Sequence, residues 1–301
     1  MRNLAIYRYV DVTARAGSIR KAAELLSITP SSLNRRIVSL EEELGTPLFE
    51  RLSRGVRLNT AGEQVVHLFR QHLAEAEGLK TFVADLRGQR RGRVSLVCSQ
   101  ALLPSFLPRQ IHDYHAVHPG VRFAVRMADG EAAERALLGY EADLALVFAP
   151  LPLNDFQTIA TQSQPIHVLM RHDHPLAAEA SLRLPACLEY PMALPARPYA
   201  VRNLLESAAD RIGVRIEATV ETESYIFLRN YVAMGETLGF EIKLGLQDIE
   251  SVGLVSRPLD LGPNGSGLLH VAQLRGRTLP VSSAKFADQI TAILSAPAAA
   301  V

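Results

Sequence analysis

Hydrophobic positions follow two rhythms along the chain. Over residues 1–90 they recur in steps of three and four, the signature of helices; beyond that, short apolar runs alternate with helical stretches. Leu4, Tyr7, Val10, Val12 and Ala14 mark a first helix that Gly17 ends. Ser18 caps a second, which buries Ile19, Ala22, Ala23 and Leu26; the two alanines allow a close helix crossing. After the short turn Ser27-Ile28, Thr29 caps a third helix, Pro30 takes its first position and Gly45 ends it. Leu33, Ile37, Leu40 and Leu44 form its buried stripe. Two helices joined so tightly predict a helix-turn-helix. Leu48 and Phe49 then anchor two short strands turning near Ser53-Arg54-Gly55, a wing made basic by Arg51, Arg54 and Arg57.

From Thr60 to about residue 88 the pattern predicts one long helix, roughly 40 Å at 1.5 Å per residue. Val65, Phe69, His72, Ala76, Leu79, Val83 and Leu86 form a seam of heptad type, which pairs two helices. Gly88 to Gly92 is a hinge. Strands at 93–98, 121–127 and 143–148 then alternate with helices at 102–118 and 131–138, an order that predicts a parallel sheet covered by helices. Near Thr161 the chain passes into a second unit of the same kind, with strands at 166–170, 192–194, 218–221, 238–242 and 254–259. The loop 262–267 returns it to the first, and a strand at 268–274 and a helix at 283–294 close the fold.

The open face of the third helix carries Ser31, Arg35 and Val38, with Ser32 and Asn34 on its flanks, while Glu41, Glu42 and Glu43 gather late. Small, polar and cationic side chains at an acid-free end suit phosphate oxygens and base edges in a major groove. The charge balance agrees. Residues 1–93 hold 16 Lys/Arg against 10 Asp/Glu, residues 94–301 hold 16 against 21, and the net of +1 hides this split. Two distant cysteines, Cys98 and Cys187, fit a reducing compartment; Cys98 ends an apolar strand, whereas Cys187 falls in a loop where it could react. Arg2, Arg8 and Asp11 interrupt any leader, and no apolar run reaches the roughly 18 residues that span a bilayer. The expectation is a cytoplasmic protein with no membrane partner.

Four segments, in order and spacing, resemble the LysR-type transcriptional regulators: Gly17 to Leu26, Thr29 to Ile37, Leu40 to Arg51 and Arg57 to Gly62. His174-Pro175-Leu176-Ala177 and Ser256-Arg257-Pro258-Leu259 resemble the same family more weakly. The resemblance implies a bacterial regulator. It implies an α+β multidomain chain: an α-rich winged helix-turn-helix at 1–60, a dimerising linker helix and hinge at 61–90, and an effector domain at 91–301. That domain is built as two α/β lobes of periplasmic-binding-protein type, lobe I at 91–161 plus 268–301 and lobe II at 162–267. It also implies binding to double-stranded DNA, homodimers through the linker helix, homotetramers and an effector-dependent switch. The DNA-binding set is Arg20, Pro30, Ser31, Ser32, Asn34, Arg35, Val38, Arg51, Arg54 and Arg57; Asn34 stands where the family most often has serine.

In open sheets, ligands bind beyond the carboxyl ends of the strands. That rule selects Ser99, Gln100, Ala101 and Leu102, then Asp129 between Ala128 and Gly130, then Phe148 and Ala149. In the second lobe it selects Arg197 and Tyr199 in one loop and Thr222 and Glu223 in another. Ser99, Gln100 and nearby N–H groups suit a carboxylate that Arg197 would clamp; Asp129 and Glu223 suit a cationic or donor-rich part. A small metabolite of either kind fits this reading. His112, His115 and His118 lack a carboxylate or cysteine to complete a metal site, and His172-Asp173-His174 reads as a turn. No nucleophile elbow, phosphate loop or dinucleotide fingerprint occurs, so no catalytic residue and no cofactor is expected. The competing reading is a two-lobed solute-binding or enzymatic protein whose front module serves only to dimerise.

Overall fold

A computed structural model describes residues 4–86, 92–148, 155–262 and 265–295, the side chains of 84–86 excepted. The expected hinge at 88–91, Ala149, residues 263–264 of the return loop, the Leu86 side chain and the Ala-rich tail lie outside these. The chain divides into two compact units, each with its own core.

The front unit runs α1 (Leu4–Ala16), α2 (Ile19–Leu26), α3 (Pro30–Leu44), β1 (Phe49–Leu52), β2 (Gly55–Leu58) and α4 (Thr60–Leu86). The predicted punctuation is in place. The Thr29 hydroxyl accepts from Ser32 N at 3.3 Å, Pro30 opens α3, and Gly45 takes the left-handed conformation after it. The Glu41 carboxylate accepts from Leu48 N at 2.7 Å and Phe49 N at 3.1 Å, so α3 itself fixes the entry into the wing. Val10, Ala22, Ala23, Leu33, Ile37, Leu40, Leu48, Val66 and Phe69 form the core.

The seam along α4 splits in two. Phe69 is buried, and its ring stacks on Tyr7 of α1 at 4.0 Å, so the first half of the helix packs within its own chain. Leu79, Phe82 and Val83 of the second half are exposed.

The rear unit begins with β3 (Gly92–Cys98), a 3-10 turn (Gln100–Leu102), α5 (Phe106–Val117), β4 (Val121–Met127), α6 (Gly130–Leu138) and β5 (Leu144–Phe148). The helix expected at 102–118 therefore starts later, at Phe106, and Leu102 belongs instead to the separate 3-10 turn. Next come β6 (Phe156–Arg171), β7 (Leu182–Arg183), α7 (Leu184–Cys187), β8 (Met192–Pro195) and α8 (Ala200–Arg211). The chain continues through β9 (Val220–Thr222), α9 (Tyr225–Val232), β10 (Leu238–Ile242), β11 (Leu254–Asp260), β12 (Ser266–Leu274) and α10 (Val281–Ser295). The sheet order is β4-β3-β5-β12-β6-β10-β8-β9, with β11 also on β6.

Around β3 and around β8 the pairing is parallel, as the alternation of strand and helix predicts, and β5 and β10 are buried along their whole length. The parallel expectation fails at the crossing. The predicted strand at 166–170 is the second half of one 16-residue strand, β6. Its first half runs antiparallel to β12 up to Pro165, and its second half runs antiparallel to β10 and β11 from Ile166 on. A single strand thus carries the chain between two sheet regions, each with helices packed against it.

Candidate functional site

The first candidate surface is the open face of α3 with the wing beside it. Pro30, Ser31 and Arg35 are exposed; Ser32, Asn34 and Val38 are half-buried between this face and the stripe below. Among the described residues, Arg35, Arg51 and Arg54 have no acidic partner. Arg20 is exposed and faces Glu24 at 3.5 Å, and Arg57 pairs with Glu50 across the hairpin at 2.8 Å. The wing is held to the helices by backbone: Val56 N donates to the Gly17 carbonyl at 2.9 Å. Gly55 lies so close to that carbonyl that a Cβ would come within 2.2 Å of its oxygen. The turn between α1 and α2 therefore sets the position of the basic hairpin.

The second candidate lies in the rear unit, where the ends of β3, β5, β8 and β9 meet. Ser99 is buried, and its hydroxyl accepts from Phe148 N at 2.8 Å and donates to Asp129. Gln100 Oε1 accepts from Tyr225 N at 3.1 Å, which ties the end of β3 to the start of α9. Burial pushes the Asp129 carboxyl upward, against the pull of the Ser99 hydroxyl and the Gln100 N–H. Tyr199 is half-buried, and its phenol is raised by burial and by the charges of Glu223 and Asp129. Thr222 spends its hydroxyl on Ser224 N at 3.0 Å; Glu223 is exposed. Asp129, Tyr199, Glu223, Gln100 and Ser99 are thus brought together.

Other members of the predicted set serve the fold. Ala101 and Leu102 are buried in the core rather than open to a ligand, because the 3-10 turn points them inward. Phe148 is buried as well, its ring seated where a side chain on Gly267 would otherwise stand. The Arg197 guanidinium is taken by Glu206, with contacts of 2.5 and 3.2 Å, so the expected carboxylate clamp is already engaged within the protein. Cys187 is a correction of another kind: it lies buried in α7, and burial pushes its thiol up to about 12, which makes it inert.

Three residues near the site were not anticipated. Arg202 is buried on α8 and bridges Glu206 at 2.6 Å and Glu221 at 3.3 Å. Arg229 on α9 pairs with Glu241 on β10 at 2.6 Å and donates to the Gly245 carbonyl. Glu241 is wholly buried, and burial lifts its carboxyl to about 7 against the pull of Arg229. A glutamate inside the apolar run Leu238–Ile242 was the available signal, because a buried charge demands a partner.

A helix-turn-helix with a basic wing, joined in one chain to a two-region α/β unit with a polar junction, defines a DNA-binding regulator that carries a ligand-binding domain. Comparison with known proteins agrees. Residues 4–63 match the bacterial regulatory helix-turn-helix protein model of the lysR family, and residues 87–294 match the LysR substrate binding domain. The chain belongs to the LysR family of transcriptional regulators. It is similar to the uncharacterised HTH-type transcriptional regulator YybE of Bacillus subtilis, 27% identical over 90% of this chain and 92% of that one. It is also similar to the HTH-type transcriptional activator CmpR of Synechocystis, 22% identical over 83% of each. Among solved structures, full-length OxyR from Pseudomonas aeruginosa has a TM-score of 0.74 at 23% identity, covering 95% of this chain and 94% of its own. CbnR, solved with its target DNA, has a TM-score of 0.56 at 15% identity, covering 97% and 99%. No helix among the described residues is long and apolar enough to cross a membrane.

Proposed function

We propose that the front unit reads a duplex through Ser31, Ser32, Asn34, Arg35 and Val38 in the major groove. Arg51, Arg54 and Arg57 of the wing, together with Arg20 and Pro30, hold the phosphates on either side. The observation that carries this reading is the state of Arg35: exposed on α3, with no acidic partner among the described residues, on a face whose acids come only at the far end. A guanidinium left free in this way has hydrogen bonds to give to a guanine edge or a phosphate.

The proposal extends to assembly. Residues 1–60 act as the reading head and 61–90 as the linker, whose exposed Leu79, Phe82 and Val83 pack against the same helix of a second copy. Dimers associate into tetramers. Residues 91–301 act as the effector domain, with 91–161 and 268–301 forming one lobe and 162–267 the other. A small molecule held among Asp129, Tyr199, Thr222 and Glu223, beside Ser99 and Gln100, favours one arrangement of the lobes and thereby changes how the heads engage DNA. The site binds rather than turns over its ligand, and the protein works in the bacterial cytoplasm where its DNA lies.

Selection of duplexes from a random library by the full chain tests this. Two-fold related half-sites about one helical turn apart, or a multiple of it, are the expected product. Recovery of unenriched DNA would contradict the proposal.

A further inference from the structure

A cleft of about 500 Å³ opens in the rear unit between the segment 246–251 and β11. Its size falls within the roughly 300–1,000 Å³ usual for small-molecule sites. None of the residues of the proposed effector site lines it. β11 pairs with β6 from Leu254 to Pro258 but with β7 only at Leu259 and Asp260. Among the described residues, therefore, no strand covers the other edge of β11 at 255–257, beside the cleft. Part of the lining is apolar: Leu246 and Ile249 are buried, and Val255 is half-buried.

Three charged side chains share this lining. Asp248 is already matched, by Arg109 of α5 at 3.1 Å. Arg257 and Glu250 are not. Among the described residues neither forms an ion pair, with the other or with anything else. The Arg257 guanidinium is half-buried and donates to the Ser256 carbonyl at 2.8 Å and to the Ala177 carbonyl at 2.5 Å. These neutral acceptors occupy two of its five N–H donors and leave its charge uncancelled. A charge drawn out of water without a counter-ion is costly unless a ligand supplies one. A simple anion brought to Arg257 meets the unmatched Glu250, and a simple cation brought to Glu250 meets Arg257. A molecule that carries both charges answers both groups at once.

We infer that this cleft is a second ligand site, and that it takes a free α-amino acid with an apolar side chain. Arg257 receives the carboxylate, Glu250 the ammonium, and the side chain lies against Leu246, Ile249 and Val255. A guanidinium and a carboxylate match as planar forks, which makes Arg257 the stronger of the two anchors. The inference does not depend on where the effector of the proposed function sits.

The test is thermal unfolding of the full chain with L-leucine, L-methionine, leucinamide and 4-methylpentanoate. The amide is leucine without its carboxylate, and the acid is leucine without its ammonium. L-Leucine or L-methionine is expected to raise the midpoint saturably, because a ligand specific for the folded state stabilises it. Leucinamide should need about 10-fold more for half the effect, the size of a lost hydrogen bond to a charged group. 4-Methylpentanoate should need about 3-fold more, the size of an exposed ion pair. Arg257→Gln should weaken the amino-acid response about 10-fold, judged against its own unliganded midpoint. Glu250→Gln, on an exposed turn, should weaken it about 3-fold and close the gap between L-leucine and 4-methylpentanoate, which loss of a merely structural residue would not do. Absence of a saturable response to both amino acids overturns the inference. So does a response that leucinamide or 4-methylpentanoate reproduces at the same concentration. A response lost in Asp129→Asn yet intact in Glu250→Gln also overturns it, and moves the amino acid to the proposed effector site.

Discussion

Arg229 and Glu241 face each other inside the rear unit, guanidinium and carboxylate 2.6 Å apart, with no part of Glu241 reaching solvent. The same guanidinium holds the Gly245 carbonyl, which also accepts from the Ser105 hydroxyl at 2.9 Å. A side chain on Gly245 would strike both Glu241 Oε1 and the Ala101 carbonyl. The pair therefore joins α9, β10 and the turn after it to the start of α5.

Removing one partner strands the other. Arg229→Met is expected to cost about 3 kcal/mol at neutral pH, the lower end of the range for a broken buried pair, because Glu241 can escape by taking a proton. The loss should shrink below pH 6, where that proton is freely available. Urea unfolding of Arg229→Met and of Arg229→Met/Glu241→Leu measures this, and the double variant should recover most of the stability.

His167 supplies a pH dependence of known sign. Its Nδ1 lies 3.2 Å from the Ser256 hydroxyl, and burial, with Lys243 nearby, lowers its pKa to about 4. The unfolded chain binds this proton near pH 6.5 and the folded chain does not until about 4. Its contribution is therefore complete above pH 6.5 and lost as pH falls toward 4. The size is on the order of 1–3 kcal/mol. His174 and His270, also lowered by burial, act in the same direction. His167→Gln should flatten the fall in unfolding midpoint between pH 6.5 and 4.

The wing depends on a close backbone approach. A Cβ on Gly62 would come within 2.1 Å of the Leu48 carbonyl oxygen, so Gly62→Ala must shift either α4 or the entry to β1. The expected cost is about 1–3 kcal/mol, the usual range for overpacking. If the wing grips phosphates, DNA affinity should fall beyond what lost stability explains. Equilibrium unfolding and DNA titration of the same variant separate the two.

The second half of α4 offers Leu79, Phe82 and Val83 to solvent. Leu79→Glu/Val83→Glu should leave the front unit folded, because its core ends at Phe69, and should dissociate the assembly to monomers. Sedimentation equilibrium is the measurement, and an unchanged mass would place the oligomer contact elsewhere.

What the sequence discloses and what it hides follow from the range of each interaction. The bounds of α3 were readable because Thr29, Pro30 and Gly45 act within one turn of where they stand. Leu238–Ile242 was readable because an unbroken apolar run has few other uses. β6 was read only in its second half, since Thr161, Gln162, Ser163 and Gln164 give its first half the polarity of a loop. Its antiparallel pairing with β12 joins residues about a hundred positions apart, which no local pattern records. Arg197 was hidden for another reason: Glu206 is only nine positions on, but the loop before α8 has no regular period that would show the two side chains meeting.

The central claim is that Arg35 and its neighbours on α3 read base sequence. Affinity of the full chain for its selected duplex and for a scrambled duplex, at one salt concentration, tests it most directly when wild type and Arg35→Ala are compared. Arg35→Ala should weaken the selected duplex by roughly 10- to 100-fold, the worth of one good base contact, and the scrambled duplex far less. Equal affinity of the two proteins for the selected duplex would contradict the account.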